Sequence, residues 1–187
     1  MTRRALIIVD LQNDYFPEGK LPLRNILPAA NNAARLLAGA RAAGEFIVHI
    51  RHEFEAADAP FFVAGSEGAR IATVVQDRAP EPVLVKHRPN SFLGTGLNEL
   101  LASHDASEVI IAGAMVHMCI DATARAAADL GYRVVVIQDA VATRDLVFGG
   151  IEVPAAHVEA AFLAALGSSY ATIRSTDEQL RLQGAGV

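Results

Sequence analysis

Short, almost continuously apolar runs alternate along the chain with longer alanine-rich segments whose apolar positions recur at helical spacing. The apolar runs predict strands at 5–10, 46–50, 83–86, 108–112, 133–138 and 170–174. Because they are apolar throughout rather than alternating, they predict strands covered on both faces, as in a parallel sheet. The segments between them carry helix signals. The first has Pro28 near its start, a stripe at Ala30, Ala33, Leu37 and Ala40, and Gly44 beyond its end. The second begins near Thr95 as N-cap and buries Leu97, Leu100 and Leu101. The third runs from about Cys119 to Leu130, with Cys119, Thr123, Ala127 and Leu130 on one side and Gly131 as its stop. The fourth starts at Pro154, turns Val158, Ala161, Phe162 and Ala165 inward, and closes at Gly167. Repeated β-α-β units with right-handed crossovers predict a three-layer α/β/α sandwich around a mainly parallel six-stranded sheet, Rossmann-like in arrangement. One domain is expected over 1–187, with 175–187 as a C-terminal tail that is loosest at Gln183–Val187. Two connections, 51–69 and 142–153, are too long for simple turns and are expected to be binding loops.

Composition narrows the function. Hydrophobic residues make up 52% and charged residues 20% of the 187, which is globular and excludes a disordered or low-complexity role. The formal net charge of −5, with no basic stripe, argues against nucleic acid as a partner. No apolar run approaches the length of a membrane span. The opening Met1–Asp10 is too short in its apolar part for a signal peptide, and Asp10 closes it, so a cytoplasmic location is expected. The single cysteine, Cys119, excludes an internal disulfide and any multi-cysteine metal centre.

In an open parallel sheet, ligands bind beyond the carboxyl ends of the strands. Strand one ends in Asp10, strand three in Lys86, and strand four runs through Ala112-Gly-Ala-Met-Val-His-Met118 into Cys119. A carboxylate, an ammonium and a thiol are therefore expected on one rim. At a helix N-terminus beside Lys86, the Cys119 thiolate should be favoured, so alkylation is expected below the pH an ordinary thiol needs. Asp10 could take the thiol proton and return it to a leaving group. Taken singly, Cys119 is equally a small buried hydrophobe, Asp10 a turn former and Lys86 a solvated strand end; the combination points to nucleophilic catalysis.

The blocks Ile8-Val-Asp-Leu-Gln-Asn-Asp-Tyr-Phe16, Val85-Lys-His-Arg-Pro-Asn-Ser-Phe92, Ala112-Gly-Ala-Met-Val-His-Met-Cys-Ile-Asp-Ala-Thr-Ala-Arg-Ala-Ala127 and Gly131-Tyr-Arg-Val-Val-Val-Ile-Gln-Asp-Ala140 resemble the isochorismatase-like cysteine hydrolase superfamily. That group includes nicotinamidases, carbamoyl-amide hydrolases and isochorismatases, and the likeness covers nearly the whole chain. The resemblance implies a catalytic triad of Asp10, Lys86 and Cys119. It also implies a cis peptide between Ala114 and Met115, with the backbone N–H groups of Met115 and Cys119 forming an oxyanion hole, and an oligomeric assembly. The implied activity is hydrolysis of a small amide, ureide, imide or related C–N bond through a thioester. Isochorismatase-type vinyl-ether hydrolysis, a binding protein that retains the fold without turnover, and a thiol-based redox sensor remain alternatives.

Two departures from the family pattern matter. Val116 stands where a Thr or Ser often follows the cis bond, and Arg51 takes the carboxylate position of the nicotinamidase metal motif in His49-Ile-Arg-His-Glu-Phe54. A cation there opposes a divalent metal, and His49 and His52 fall on opposite faces of a strand, so no convergent metal cluster and no cofactor are expected. No glycine-rich phosphate loop follows a strand either. Tyr15, Phe16, Phe61 and Phe62, in the loops after strands one and two, and His117, two residues before the thiol, are the candidate walls of the substrate pocket. A small neutral molecule is the expected partner, and a homo-oligomer, dimer or tetramer, the expected assembly.

Overall fold

A computed structural model describes residues 3–184 of the chain. In chain order the strands are β1 (Arg4–Val9), β2 (Phe46–His52), β3 (Val83–Lys86), β4 (Glu108–Ala114), β5 (Arg133–Ala142), β6 (Leu146–Phe148), β7 (Ile151–Val153) and β8 (Thr172–Arg174). Six of them form one sheet in the order β3-β2-β1-β4-β5-β8, with every pairing parallel. The chain steps outward from β1 to β3 and then returns to build the other half from β4. The topological switch point therefore lies between β1 and β4, where the ends of neighbouring strands open a crevice.

The alternation hidden inside each apolar run sorts the core into two layers. Leu6 and Ile8 of β1 pack with Ile47, Ile110, Val135 and the buried stripe Ala30, Ala33, Leu37 and Ala40 of α1 (Ile26–Ala43). Ala5, Ile7 and Val9 face the other way, onto Leu97 and Leu101 of α2 (Leu97–Ser103), Ala124 and Ala127 of α3 (Asp121–Asp129), and Leu166 of α4 (Ala155–Ser169). Most strand residues thus have an apolar partner on either face, which is why the runs are almost wholly apolar; buried His49 of β2 is an exception, paired with Glu81. Gly44 ends α1 in the left-handed conformation, its N–H donating to the Ala40 and Arg41 carbonyls.

Several expected boundaries move. Residue 175 onward is not a tail: α5 (Thr176–Gly184) is helical. Thr176 anchors it, donating through both its N–H and its hydroxyl to Asp139 Oδ1, each at 2.8 Å. Gln179 and Gln183 are buried, and Gln183 Nε2 donates to Glu45 Oε2 at 2.7 Å. Two buried glutamines on the inner face disguised the helix, because they stand where an apolar stripe would have signalled it. Residues 185–187 lie outside the described part. In α4, Ala161 and Ala165 are exposed, and the inner stripe is Ala155, Val158 and Leu166 with Phe162 and Leu163 half-buried. Gly167 does not close that helix; a Cβ there would stand 3.1 Å from the Ile173 side chain, so it permits close packing of α4 on β8. Leu130, expected inside, is half-exposed, and the cap of α2 is Gly96, with Thr95 Oγ1 accepting the Leu97 N–H at 3.2 Å. The 142–153 connection holds a hairpin of β6 and β7, turned by Gly149 and Gly150 at positive φ.

Candidate active site

The rim of β1, β3 and β4 carries the chemistry. Asp10 follows β1 with φ +51, a left-handed conformation that aspartate tolerates better than most residues, and its N–H donates to the Ile50 carbonyl at 3.0 Å. Lys86 is the last residue of β3 and pairs in register with His52, the last of β2. β4 reaches the crevice through Gly113, at φ +136, where a Cβ would run into the Val9 carbonyl oxygen; only glycine lets β4 approach β1 so closely. The Ala114–Met115 peptide is cis. The next five residues, Val116–Ile120, form one widened π turn, closed by the Ile120 N–H donating to the Met115 carbonyl at 3.2 Å, and Cys119 sits in that turn just before α3. Ser91, from the loop after β3, donates its N–H to Thr123 Oγ1 of α3 at 3.1 Å, and the two hydroxyls lie 2.8 Å apart, tying the lysine-bearing segment to the cysteine-bearing one.

These elements bring Asp10, Lys86 and Cys119 together in the interior. Lys86 Nζ lies 2.7 Å from Asp10 Oδ2 and 3.1 Å from Cys119 Sγ, and the Asp10 and Lys86 side chains have no exposed surface. A fourth group, which sequence reasoning left out, completes the set: His52 Nδ1 is 3.1 Å from Lys86 Nζ. The expectation that no donor set converges is thereby corrected, since Asp10, His52 and Cys119 offer donor atoms all within 4.8 Å of one another. The ammonium of Lys86 already stands among these atoms, however, and a resident cation opposes a divalent metal at the same place.

Burial governs the protonation of the cluster. Desolvation raises the pKa of Cys119, the Asp10 carboxylate raises it further, and Lys86 only partly offsets both. The sequence-based expectation of a thiolate favoured at rest is therefore reversed. It weighed the neighbouring ammonium and the helix end, but could not see that Cys119 is only 4% exposed. Burial pulls Lys86 down, yet Asp10 and Cys119 together outweigh it and hold the ammonium above its ordinary range. Burial, then Lys86, pushes His52 down to about 4, so its ring is neutral at physiological pH. The Asp10 carboxyl lies in hydrogen-bonding reach of the Cys119 thiol as well as of Lys86. Thiol, ammonium and carboxylate thus form a set in which a proton can move from sulfur to carboxylate without creating a new buried net charge.

The aromatic residues gather beside this centre. Tyr15 and Phe62 are fully buried with ring centroids 4.5 Å apart; Phe61 packs 5.0 Å from Phe62, and Phe54 lies 4.6 Å from the His52 ring. Burial raises the Tyr15 hydroxyl first, with Asp10 and Cys119 adding to it, which places that residue within electrostatic reach of the cluster. Phe16 is half-buried against the α1-side core. His117 is half-buried, its Nδ1 2.6 Å from Thr143 Oγ1. Sequence reasoning missed three residues besides His52 and Phe54. Gln12 donates to the carbonyls of His52 and Ala69 at 2.8 Å each, and accepts the His52 N–H at 2.8 Å. Asp14 accepts the Phe62 N–H at 2.7 Å, holding a bulky residue at φ +53, and its carboxylate fills the space where a Cβ on Gly68 would stand. Thr123 is the third. The polar trio Gln12-Asn-Asp14, directly after an apolar strand, was the available signal.

A parallel α/β sheet thus gathers a carboxyl, an ammonium, an imidazole and a buried thiol at its switch point. Residues 4–177 match the family model described as the Isochorismatase domain, and the chain belongs to that family. It is 45% identical to the isochorismatase family protein YddQ of Bacillus subtilis (strain 168), over 95% of this chain and 98% of that one. A maleamate amidohydrolase of Pseudomonas putida is 30% identical over 75% of this chain and 72% of its own. A solved structure from Oleispira antarctica, assigned to the isochorismatase hydrolases, superposes with a TM-score of 0.94 at 48% identity, covering 96% of this chain and 97% of that one. No helix among the described residues is long and apolar enough to cross a membrane.

Proposed function

We propose that the protein hydrolyses a small amide, ureide or imide through a Cys119 thioester, with Asp10, Lys86 and Cys119 as the catalytic triad. The observation that carries this reading is the meeting of the three side chains, with Lys86 Nζ 2.7 Å from the acid and 3.1 Å from the sulfur. Asp10 takes the thiol proton as Sγ attacks the carbonyl carbon, and the Met115 and Cys119 N–H groups receive the developing oxyanion. The C–N bond breaks as Asp10 returns the proton to nitrogen, and ammonia or an amine leaves. Water then attacks the thioester, giving one proton to Asp10; the acid departs and Sγ recovers its proton. Lys86 stays charged throughout and stabilises whichever of carboxylate or thiolate bears the negative charge. In this reading the half-buried Phe16, Phe61 and His117 line the substrate side and the fully buried Tyr15 and Phe62 back that wall; the similarity to a maleamate amidohydrolase supports a C–N bond as the target.

A panel of amides, ureides, imides and nitriles, assayed for ammonia release, tests the substrate class; intact-mass detection of an acylated Cys119 tests the intermediate. Hydrolysis of the best substrate by Cys119→Ala at the wild-type rate would overturn the covalent reading, whereas a panel in which no C–N bond is cleaved would favour vinyl-ether hydrolysis, which needs no nucleophilic thiol, or a binding protein without turnover. A homo-oligomer belongs to the same proposal. The β6–β7 hairpin projects Val147, Phe148 and Ile151 at 69%, 86% and 68% exposure, an apolar tip suited to burial against a second copy. A monomer mass by light scattering at micromolar concentration would remove that part. A lone thiol that must stay reduced suits the cytoplasm.

A further inference from the structure

The Lys86 ammonium is a buried donor of three N–H bonds, and the structure surrounds it with three acceptors: Asp10 Oδ2 at 2.7 Å, Cys119 Sγ at 3.1 Å and His52 Nδ1 at 3.1 Å. The triad uses two of these. We infer that His52 is a positioning residue, which accepts the third N–H through Nδ1 and thereby keeps the ammonium charged and aimed at the sulfur. The inference rests on the triad reading above.

The imidazole is held for that role. Its backbone N–H and carbonyl are both bonded to the Gln12 side-chain amide, each at 2.8 Å, so the residue is clamped at the end of β2 directly opposite Lys86 in the parallel register. Phe54 and Phe62 flank the ring at 4.6 and 6.3 Å between centroids and leave it 6% exposed. Since Nδ1 accepts from an ammonium, the ring proton resides on Nε2, an atom with no hydrogen-bonding partner among the described residues. Asp10, Lys86 and Cys119 face the ring from the ends of β1, β3 and the π turn, and His87 and Arg88 act on it from the loop after β3. Of these, only Asp10 favours a protonated ring, while Lys86, His87 and Arg88 oppose it, as does burial. His52 is thus an uncharged acceptor across the working pH range. Without it, a desolvated N–H would be left on Lys86, the ammonium would lose one of its three constraints, and the thiolate would be less favoured.

The alkylation rate of Cys119 by iodoacetamide, followed against pH by intact mass on the full chain, reads this directly and needs no substrate. His52→Leu keeps the bulk and removes the acceptor; it should slow alkylation about tenfold at a fixed pH and move the profile upward. His52→Asn places an amide oxygen near the position of Nδ1 and should stay within about twofold of wild type. Equal profiles for His52→Asn and His52→Leu would overturn the inference. If His52→Leu fails to fold by circular dichroism, His52→Gln takes its place, because its longer side chain offers an acceptor nearer Nε2 than Nδ1; a His52→Gln profile matching that of His52→Asn would likewise overturn it. Hydrolysis by Cys119→Ala defeats the triad reading, whereas an alkylation profile indifferent to the acceptor, in a protein that Cys119→Ala inactivates, defeats the role of His52 alone.

Discussion

Two polar clusters, each holding a cation, a carboxylate and a histidine, sit at opposite ends of the strands β2 and β3 and have opposite characters. Before β3, Glu81 accepts Arg41 Nε at 2.6 Å and Nη2 at 2.8 Å, pairs with His49 Nε2 at 2.9 Å and accepts the Arg78 N–H at 3.0 Å. Both Glu81 oxygens are engaged in a two-pronged contact with the guanidinium, and the Arg41 side chain keeps 21% of its surface in solvent. Beyond the other end of β3, the cluster of Asp10, Lys86, Cys119 and His52 is sealed: the Asp10 and Lys86 side chains have no exposed surface, and a thiol stands beside them. The first cluster commits both carboxylate oxygens to fixed donors at a partly solvated edge and holds structure together. The second excludes water around an acid, an ammonium and a thiol, so that a proton can pass between them.

Removing the nucleophile should have the largest effect. Cys119→Ala should lower turnover by about 10³-fold or more with the fold intact by circular dichroism, whereas Arg41→Ala should leave turnover at the wild-type level. Equal losses in both variants would erase the distinction between the clusters.

Stability separates them next. Lys86→Met strands the Asp10 carboxylate in a dry interior and should cost about 3–5 kcal/mol in denaturant melts, most of it restored by adding Asp10→Asn. Arg41→Ala, at a solvent-accessible pair with other donors to Glu81, should cost about 1–2 kcal/mol. A Lys86→Met protein as stable as wild type would show the interior pair to be hydrated.

The pH dependence follows from the histidines and Glu81. His52 has a folded pKa of about 4 against 6.5 unfolded, so the unfolded chain binds the extra proton first. Stability should therefore fall as pH drops from 6.5 towards 4, by about 3 kcal/mol from this residue, and His52→Asn should flatten that slope. His49, also lowered by burial, acts in the same direction. Glu81 is held at about 2, chiefly by Arg41; its stabilisation is complete above 4.5 and lost as pH falls towards 2, so Glu81→Gln should change melts in neutral buffer and not at pH 2. A His52→Asn protein with the wild-type slope between pH 6.5 and 4 would remove His52 from the account.

The smallest expected effect is none. Because Lys86 stands among the Asp10, His52 and Cys119 donors, dialysis against a chelator should leave turnover unchanged; a stoichiometric metal in the purified protein, with activity lost on its removal, would show that the donors close around an ion instead.

The alternation of apolar runs and alanine stripes determined the layered α/β fold, because two-faced burial and helical periodicity leave a local record in any sequence. The strand-end rule likewise brought Asp10, Lys86 and Cys119 to one rim, since a parallel sheet aligns its carboxyl ends whatever lies between them. Tertiary structure decided the rest. His52 entered the site only through register, which sets the last residue of β2 against Lys86 across a gap of 34 positions that no periodicity can signal. α5 was hidden because its inner face is closed by Thr176, Gln179 and Gln183 rather than by an apolar stripe. The protonation of Cys119 went the other way from the sequence reading for a related reason. Its neighbours were legible, but the sign of a pKa shift depends on how much water they exclude, and exclusion is a property of the packed molecule.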